Sequence, residues 1–500
     1  MITNQKILTM RLLFIGAVLL YIFTAINSSG YFHPDEHYQI IEFAELKAGN
    51  NTRGDLAWEY NAEIRPAIQP TLCYIIFRVC RAIGINDPYC LAMVLRLITA
   101  GFSLLTISLF AKFNKKSLPY KYQLTYLLLT YFIWFIPFVN VRYSSESWAG
   151  LLFMQAIIVF NSKIRFKYFF MGCVLGFSFL FRFQTALMAL GWVSWIFMYH
   201  KAERKSLPYS IIGILVIIIL GSFIDQWFYG NYVLTFVNYF KINVIQGVAS
   251  LFGVSPWYYY FTEIVTNSII PIGFCLLISL VALIILKPQN MLVWIIVPFL
   301  IGHILIPHKE LRFLFPVINF IPLLVISGFI MINEKFSVSF QNKSVRIGSA
   351  VIFCIILFFN GIGLVINLTA SSGNGSEKLT QYIDQTFKNR HVNLLYILYT
   401  NPYQPFYPLK QGFYQNKNVQ SHQIQKLMDI KEQLSKLNIN LFVASKADVD
   451  VPDLKEKLAE LGFKVVKQSI PQWIINIKNC FRYGLTDDTL ILYQLPVKNN

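Results

Sequence analysis

Long apolar runs broken by short polar or basic stretches dominate the chain as far as residue 368. The runs predict membrane-spanning helices at roughly 11–29, 88–111, 122–139, 146–160, 168–182, 184–199, 208–224, 264–286, 291–307, 313–333 and 347–368. A helix needs about 20 apolar residues to cross a hydrocarbon core of about 30 Å. These runs reach or approach that length, so about eleven spans are expected. Between the first two spans, residues 30–87 predict two further helices. One is DEHYQIIEFAELKA, apolar at Tyr38, Ile41, Leu46 and, in partial register, Phe43. The other is PAIQPTLCYIIFRVCRAIG, with Arg78 and Arg81 to one side. Both suit helices lying along the membrane surface. Residues 225–262 are dense in Trp and Tyr, which favour the headgroup zone.

The pattern changes after residue 369. ASSGNGSEK reads as a linker, followed by strand-like VNLLYILYT, NLFVASK and TLILYQL, and by a helical DLKEKLAELG before FKVVKQ. The expected organisation is a membrane domain over 1–369, with its first outer loop at 30–87, and a small extracytoplasmic α/β domain over 370–500.

Composition agrees with a polytopic α-helical membrane protein. Only 14% of residues are charged and 55% are hydrophobic, whereas soluble domains carry about 25% charged residues. Mean hydropathy is +0.51. A net charge of +18 would ordinarily suggest a nucleic-acid partner, but most basic residues sit in short loops between spans, as the positive-inside rule describes. With a cytoplasmic N-terminus, the clusters at Lys112–Lys121, Lys163–Lys167, Lys201–Lys205, Lys287 and Lys335–Arg346 all fall inside. The first span lacks a small-residue cleavage exit and reads as a retained anchor. The seven cysteines form no CxxC and mostly lie in apolar runs, so packing thiols are expected.

That topology gathers the unusual chemistry on the outer face: the 30–87 loop, VRYSSES, RFQ, residues 225–262, HKELR and everything beyond about 370. Asp35 and Glu36 follow Pro34 at the start of a helical pattern, so they either complement a helix N-terminus or serve as a general base. In IPHKELRFLFP, His308, Lys309, Glu310 and Arg312 share a tight turn between two spans. Cations there suit a lipid-linked phosphate. Arg142 and Glu146 sit at the spacing of a helical pair, Arg182 reads as a snorkelling residue, and Arg65, Trp58 and Glu59 could line an acceptor groove. No HExxH, P-loop, GxSxG, CxxC pair or dependable DxD is present, so no metal or cofactor is expected, and metalloprotease, ATPase and nucleotide-sugar chemistry are disfavoured.

The stretch HPDEHYQIIEFAELKAG…WEY…RPAIQP resembles glycosyltransferase family 22 of the GT-C superfamily, the α-mannosyltransferases of GPI-anchor and dolichol-linked oligosaccharide assembly. The residues that carry the likeness are His33, Pro34, Asp35, Glu36, Tyr38, Gln39, Glu42, Trp58, Glu59, Arg65 and Pro70. Two further blocks agree: IDQWFYGNY…SPWYYY, with Asp225, Tyr229 and Trp257, and HKELRFLFP, with His308, Lys309 and Arg312. YTNPYQPFYP occupies the place of a tail motif of the GPI branch. Gln226 and Ala57 stand where the family often has Arg and Thr. The resemblance implies a GT-C fold and inverting transfer of mannose from a polyprenyl (dolichyl) phosphate to a lipid-linked or GPI-like glycan, giving an α-mannoside. Asp35 or Glu36 would be the base, and His308, Lys309 and Arg312 would hold the leaving phosphate. His33, Gln39, Trp58, Glu59, Arg65, Arg142, Glu146, Asp225, Tyr229 and Trp257 would contact substrate. No metal is implied. The expected partners are the lipid-phosphate sugar, a glycolipid acceptor and membrane lipids. The expected place is a bacterial inner membrane with a periplasmic site, or the endoplasmic reticulum with a lumenal one. The competing readings are a lipid-glycan transporter or flippase, and a GT-C transferase using another lipid-phosphate sugar.

Overall fold

Helix forms at each of the eleven apolar runs, but several runs are interrupted. The computed structural model describes residues 2–336, 343–388, 390–397, 399–424, 441–449, 452–481 and 488–495. Among the described residues, five helical stretches are long and apolar enough to cross a membrane: Leu8–Asn27, Pro88–Ser117, Lys201–Tyr229, Leu311–Phe336 and Arg346–Thr369. Ile270–Leu286 and Met291–Leu305 make a sixth candidate, a pair bent by 115°. Ser145–Phe160, Lys167–Phe181 and Thr185–Tyr199 have only 16, 15 and 15 residues. At 1.5 Å per residue they reach about 22–24 Å, short of the hydrocarbon core. The expected count of eleven crossings therefore exceeds what helix length alone supports.

Two breaks have visible causes. The 122–139 run splits into Gln123–Phe132 and Phe135–Asn140. Between them, Asn360 accepts from the Trp134 N–H at 3.0 Å and donates to the Phe132 carbonyl at 2.8 Å, replacing intrahelical bonds. The 264–286 run splits at Ile269, whose φ is +73°, just before Pro271. A β-branched residue at positive φ is strained, and proline cannot continue the preceding hydrogen-bond ladder.

The described chain forms two compact units. The first comprises Met1–Thr24, Ala62–Thr71 and Arg96–Val365. Close helix approaches hold it together. A Cβ on Gly213 would lie 2.7 Å from the Cys173 N, and one on Gly172 2.7 Å from the Ser210 Cα, so only glycines allow Lys167–Phe181 to pack on Leu207–Tyr229. Gly150 does the same for Ser145–Phe160, where a Cβ would come within 2.6 Å of the Pro316 Cα in the helix Leu311–Phe320.

The second unit comprises Ala25–Asn61, Leu72–Leu95 and Ile366–Asn500. It is built on a five-stranded sheet of β1 (Val392–Ile397), β2 (Val419–Ile424), β3 (Leu441–Ser445), β4 (Lys464–Gln468) and β5 (Leu490–Gln494), in the order β2-β1-β3-β5-β4. β1 pairs in parallel with β2 and β3, while β5 runs antiparallel to β3 and β4. Alternate residues of β3 point to opposite faces. Leu441 and Val443 pack with Leu379 and Ile383 of the helix Ser376–Thr386, and Phe442 and Ala444 with Leu454 and Leu458 of the helix Pro452–Glu460. The sheet is thus covered on both faces, which explains the continuous apolar runs of β3 and β5.

Candidate active site

The acidic motif of the first outer loop belongs to the second unit. After Pro34 the chain turns at once: the N–H groups of His37 and Tyr38 both donate to the Pro34 carbonyl, at 3.0 and 2.9 Å. The next turn, His37–Ile41, is a π-helix, closed by a bond from the Glu42 N–H to the His37 carbonyl. Such wide turns are rare and recur at functional sites. This one turns His37, Tyr38, Gln39, Ile40 and Ile41 all inward. The acids then divide into two groups. Glu42 is buried; it meets His37 Nε2 at 2.6 Å, accepts from the Phe413 N–H at 3.1 Å and also takes the Asn51 amide. Glu59 accepts from Gln39 at 2.8 Å, and Glu45 pairs with Arg81 at 2.7 Å. Asp35 and Glu36 are only partly buried. The Asp35 carboxylate is 20% exposed and lies 3.4 Å from His33 Nδ1, which also accepts the Asp35 backbone N–H. Burial raises the Tyr31 and Tyr38 phenols well above their usual range, so both are protonated donors at neutral pH.

The HKELR block lies in the first unit and gathers a second group. Arg312 is buried and donates to both oxygens of Glu310 and, at 3.1 Å, to Glu146. Arg182 reaches the same Glu146 oxygen at 3.3 Å. Both guanidiniums lie against Phe313, at 5.1 and 5.2 Å from its centroid. His308 bridges Glu310 at 2.8 Å and the Gly253 carbonyl at 3.0 Å. Lys309 is buried and donates to the carbonyls of Ser255, Ile306 and Pro307, at 3.0, 2.7 and 3.4 Å. Desolvation lowers its pKa below that of an ordinary lysine. Glycine at 150 permits this assembly, because the approach of Gly150 to Pro316 brings the preceding turn of each helix, Glu146 and Arg312, into contact.

Two expectations change here. Arg182 is buried rather than snorkelling, and it belongs to the cluster. The helical spacing assumed for Arg142 and Glu146 does not hold, since residues 142–144 are non-helical and Ser144 is extended at φ −100°, ψ 155°. Arg142 is almost fully buried over Phe138, 5.0 Å from its centroid. The signal for Arg182 was its place among the outer-face residues; its partner Glu146 could not be read from spacing.

The other expected contacts are spread out. Within the first unit, Asp225 accepts from the Ala67 N–H at 2.7 Å and from Thr235 at 2.8 Å, and Tyr229 donates to the Arg65 carbonyl at 2.7 Å. These bonds hold residues 62–71 against the end of the helix Leu207–Tyr229. The Arg65 side chain lies 6.0 Å from the Tyr239 ring. Trp257 is 66% exposed, and in the second unit Trp58 is 37% exposed. Among the described residues no group of three His, Cys, Asp or Glu could hold a metal ion, and six cysteines are free thiols.

Each unit thus carries one reactive kind of group: an accessible carboxylate beside a histidine, and a buried cluster of cations whose charge is partly balanced by two glutamates. A glycosyl transfer from a phosphate needs a base and an anion-stabilising group. The chain's relatives are named mannosyltransferases. The model of the Alg9-like mannosyltransferase family matches residues 12–408. GPI mannosyltransferase 3 of Candida albicans is 24% identical over 423 residues, covering 81% of this chain and 78% of that protein. Mannosyltransferase APTG1 of Arabidopsis thaliana is 22% identical over 434 residues, covering 79% and 74%. GPI alpha-1,2-mannosyltransferase 3 of Bos taurus is 24% identical over 321 residues, covering 61% and 56%. The crystal structure of ArnT from Cupriavidus metallidurans, bound to undecaprenyl phosphate, shares the fold with a TM-score of 0.54 at 13% identity, over 98% of each chain. The chain belongs to the Alg9-like mannosyltransferase family and is a membrane glycosyltransferase of the GT-C type.

Proposed function

We propose that the chain transfers mannose from a polyprenyl phosphate, with inversion, to a lipid-linked or GPI-like glycan acceptor. The observation that carries this reading is the sorting of the acids in the first-loop motif. Glu42, Glu45 and Glu59 are buried, while the Asp35 carboxylate is 20% exposed beside His33. In the proposed step Asp35 takes the proton of an acceptor hydroxyl, with Glu36 next in line. The oxygen attacks the sugar's anomeric carbon, the carbon–oxygen bond to phosphate breaks, and the electron pair leaves with polyprenyl phosphate. A β-linked phosphate then yields an α-mannoside. Phosphate is a competent leaving group, so the step calls for no general acid of the glycosidase kind.

Arg312 and Arg182 supply the charge that stabilises the departing phosphate. Arginine remains charged at any working pH and matches phosphate geometry with two donors. His308, with both ring nitrogens bonded, braces Glu310, the partner of Arg312, against the Gly253 carbonyl. Lys309 fixes the turn through three carbonyls and strengthens the positive potential there. Trp257 and the aromatics of 225–262, many of them exposed, offer surface to the lipid chain. Residues 370–500 act as the extracytoplasmic domain. The working face lies outside the cytoplasm, in the periplasm or the lumen according to the host. A transporter reading loses its footing, since the family consists of transferases.

The test is a donor comparison in membranes containing the chain. Polyprenyl-phosphate mannose should support transfer to a mannose-terminated glycolipid, giving an anomeric coupling in the NMR spectrum that identifies an α-linkage. GDP-mannose added to membranes free of polyprenyl-phosphate mannose should support none. Transfer from GDP-mannose in that setting, or a β-linked product, would overturn the reading.

A further inference from the structure

A cavity of about 140 Å³ opens within the second unit beside the acidic motif. Its wall includes Tyr31, Pro34, Asn374, Ser376, Glu377 and Phe406. None of these is among the residues assigned to catalysis or phosphate binding. A buried water occupies roughly 10–15 Å³ on this measure, so the cavity holds on the order of ten waters, about the bulk of one pyranose ring.

The lining has the character of a carbohydrate site. The lining combines polar residues, Glu377, Ser376 and Asn374, with aromatic ones, Phe406 at 47% and Phe32 at 43% exposed. Few, well-placed polar groups against aromatic walls are the usual form of a small-ligand pocket. The single formal charge in the lining is negative, at Glu377. That charge disfavours a phosphate and favours an uncharged ligand.

The wall is also held rigidly. The Ser372 N–H donates to the Ser29 carbonyl at 2.7 Å. Gly30, at φ +84°, lets the chain pass directly over Glu377; a Cβ there would lie 3.0 Å from the carboxyl carbon. Glu377 stands in the first turn of the helix Ser376–Thr386, where a carboxylate is favoured. The segment bearing Phe406 is pinned by Tyr403 to Asp384 at 2.8 Å and by Thr400 to the Val443 carbonyl at 3.2 Å. This gives the YTNPYQPFYP segment a role: it carries Pro405 and Phe406 to the cavity.

We propose that this cavity is a subsite for a neutral sugar residue of the acceptor, an inference that rests on the transfer reading above. Pro34 lines the cavity and Asp35 is the next residue, about 3.8 Å further along the backbone. A sugar seated there is held beside the base that must reach an acceptor hydroxyl.

The experiment uses the full chain in detergent, with methyl α-mannobioside as the probe and saturation-transfer NMR as the readout. The wild type should transfer saturation to the probe. Phe406→Ala and Asn374→Ala, at unchanged melting temperature, should cut the signal at least about fivefold, while Trp473→Ala, an exposed aromatic outside the lining, should leave it intact. In transfer assays the two lining variants should raise the acceptor KM about tenfold with the donor KM unchanged, a tenfold change being about 1.4 kcal/mol. No saturation transfer to the wild type, or an equal signal in both lining variants, overturns the inference. If the probe binds as expected but no mannose moves from polyprenyl phosphate, the sugar subsite stands and the transfer reading falls.

Discussion

Substituting Gly150 by Ala puts the packing of the cation cluster under direct strain. The added Cβ would lie 2.6 Å from the Pro316 Cα and 2.8 Å from its carbonyl carbon. Ordinary carbon contacts begin near 3.5 Å, so the two helices must part by about 1 Å. The Glu146–Arg312 bond now measures 3.1 Å; moved by that amount it leaves hydrogen-bonding range. Overpacking of this kind costs about 1–3 kcal/mol. A displacement of about 1 Å at a positioning contact lowers rate by about a hundredfold. The assay is mannose transfer at saturating acceptor over a donor series, with thermal unfolding in detergent alongside. Gly150→Ala should melt lower and lose about two orders of magnitude in kcat/KM for the donor. Gly348 is the control, since a Cβ there meets nothing within 4 Å. Gly348→Ala should be neutral, or slightly more stable through its gain in helix propensity. Full activity in Gly150→Ala, with an unchanged melting curve, would refute the argument that this close approach sets Arg312.

Arg182→Leu should lower donor kcat/KM by about 10²–10³, the usual loss for one charge-stabilising donor, with acceptor KM unchanged; equal loss on both substrates would point to a folding defect. Glu42→Ala leaves His37, the Phe413 N–H and Asn51 without their shared acceptor. The second unit should therefore lose roughly 3–5 kcal/mol, read as a lower melting temperature, and an unchanged melt would contradict it. In the proposed transfer Lys309 acts as a cation, and burial lowers its pKa. Donor binding should weaken as pH rises, at a pH below the ordinary lysine value of about 10.4, and Lys309→Arg should remove that limb; an identical alkaline limb in the variant would exclude Lys309 as its source.

Much of the fold was legible because its signals are local. Apolar runs marked the helices, and the short apolar runs in NLFVASK and TLILYQL marked β3 and β5. β2 escaped notice because VQSHQI is mostly polar, as an edge strand allows. The break at 133–134 depends on Asn360, more than two hundred residues away, and no local pattern reports such a partner. The break at Ile269 has a local signal in Pro271, although the apolar run 264–286 is continuous across it. The same divide runs through the candidate site. His33, Asp35 and Glu36 stand together because they are adjacent in sequence, as do His308, Glu310 and Arg312. Arg182 joined only when folding brought it to Glu146. The destination of the Lys309 ammonium, three backbone carbonyls, likewise depends on tertiary contact with Ser255.

Asp35→Asn is the most direct test of the central claim. Wild type, Asp35→Asn and Glu36→Gln would be compared for transfer of [³H]mannose from polyprenyl phosphate to a mannose-terminated glycolipid, at matched expression and melting temperature. General-base removal costs about 10²–10⁴-fold, so Asp35→Asn should fall by that factor while Glu36→Gln keeps most of its turnover. Wild-type turnover in Asp35→Asn would contradict the account and reduce Asp35 to a helix-end charge.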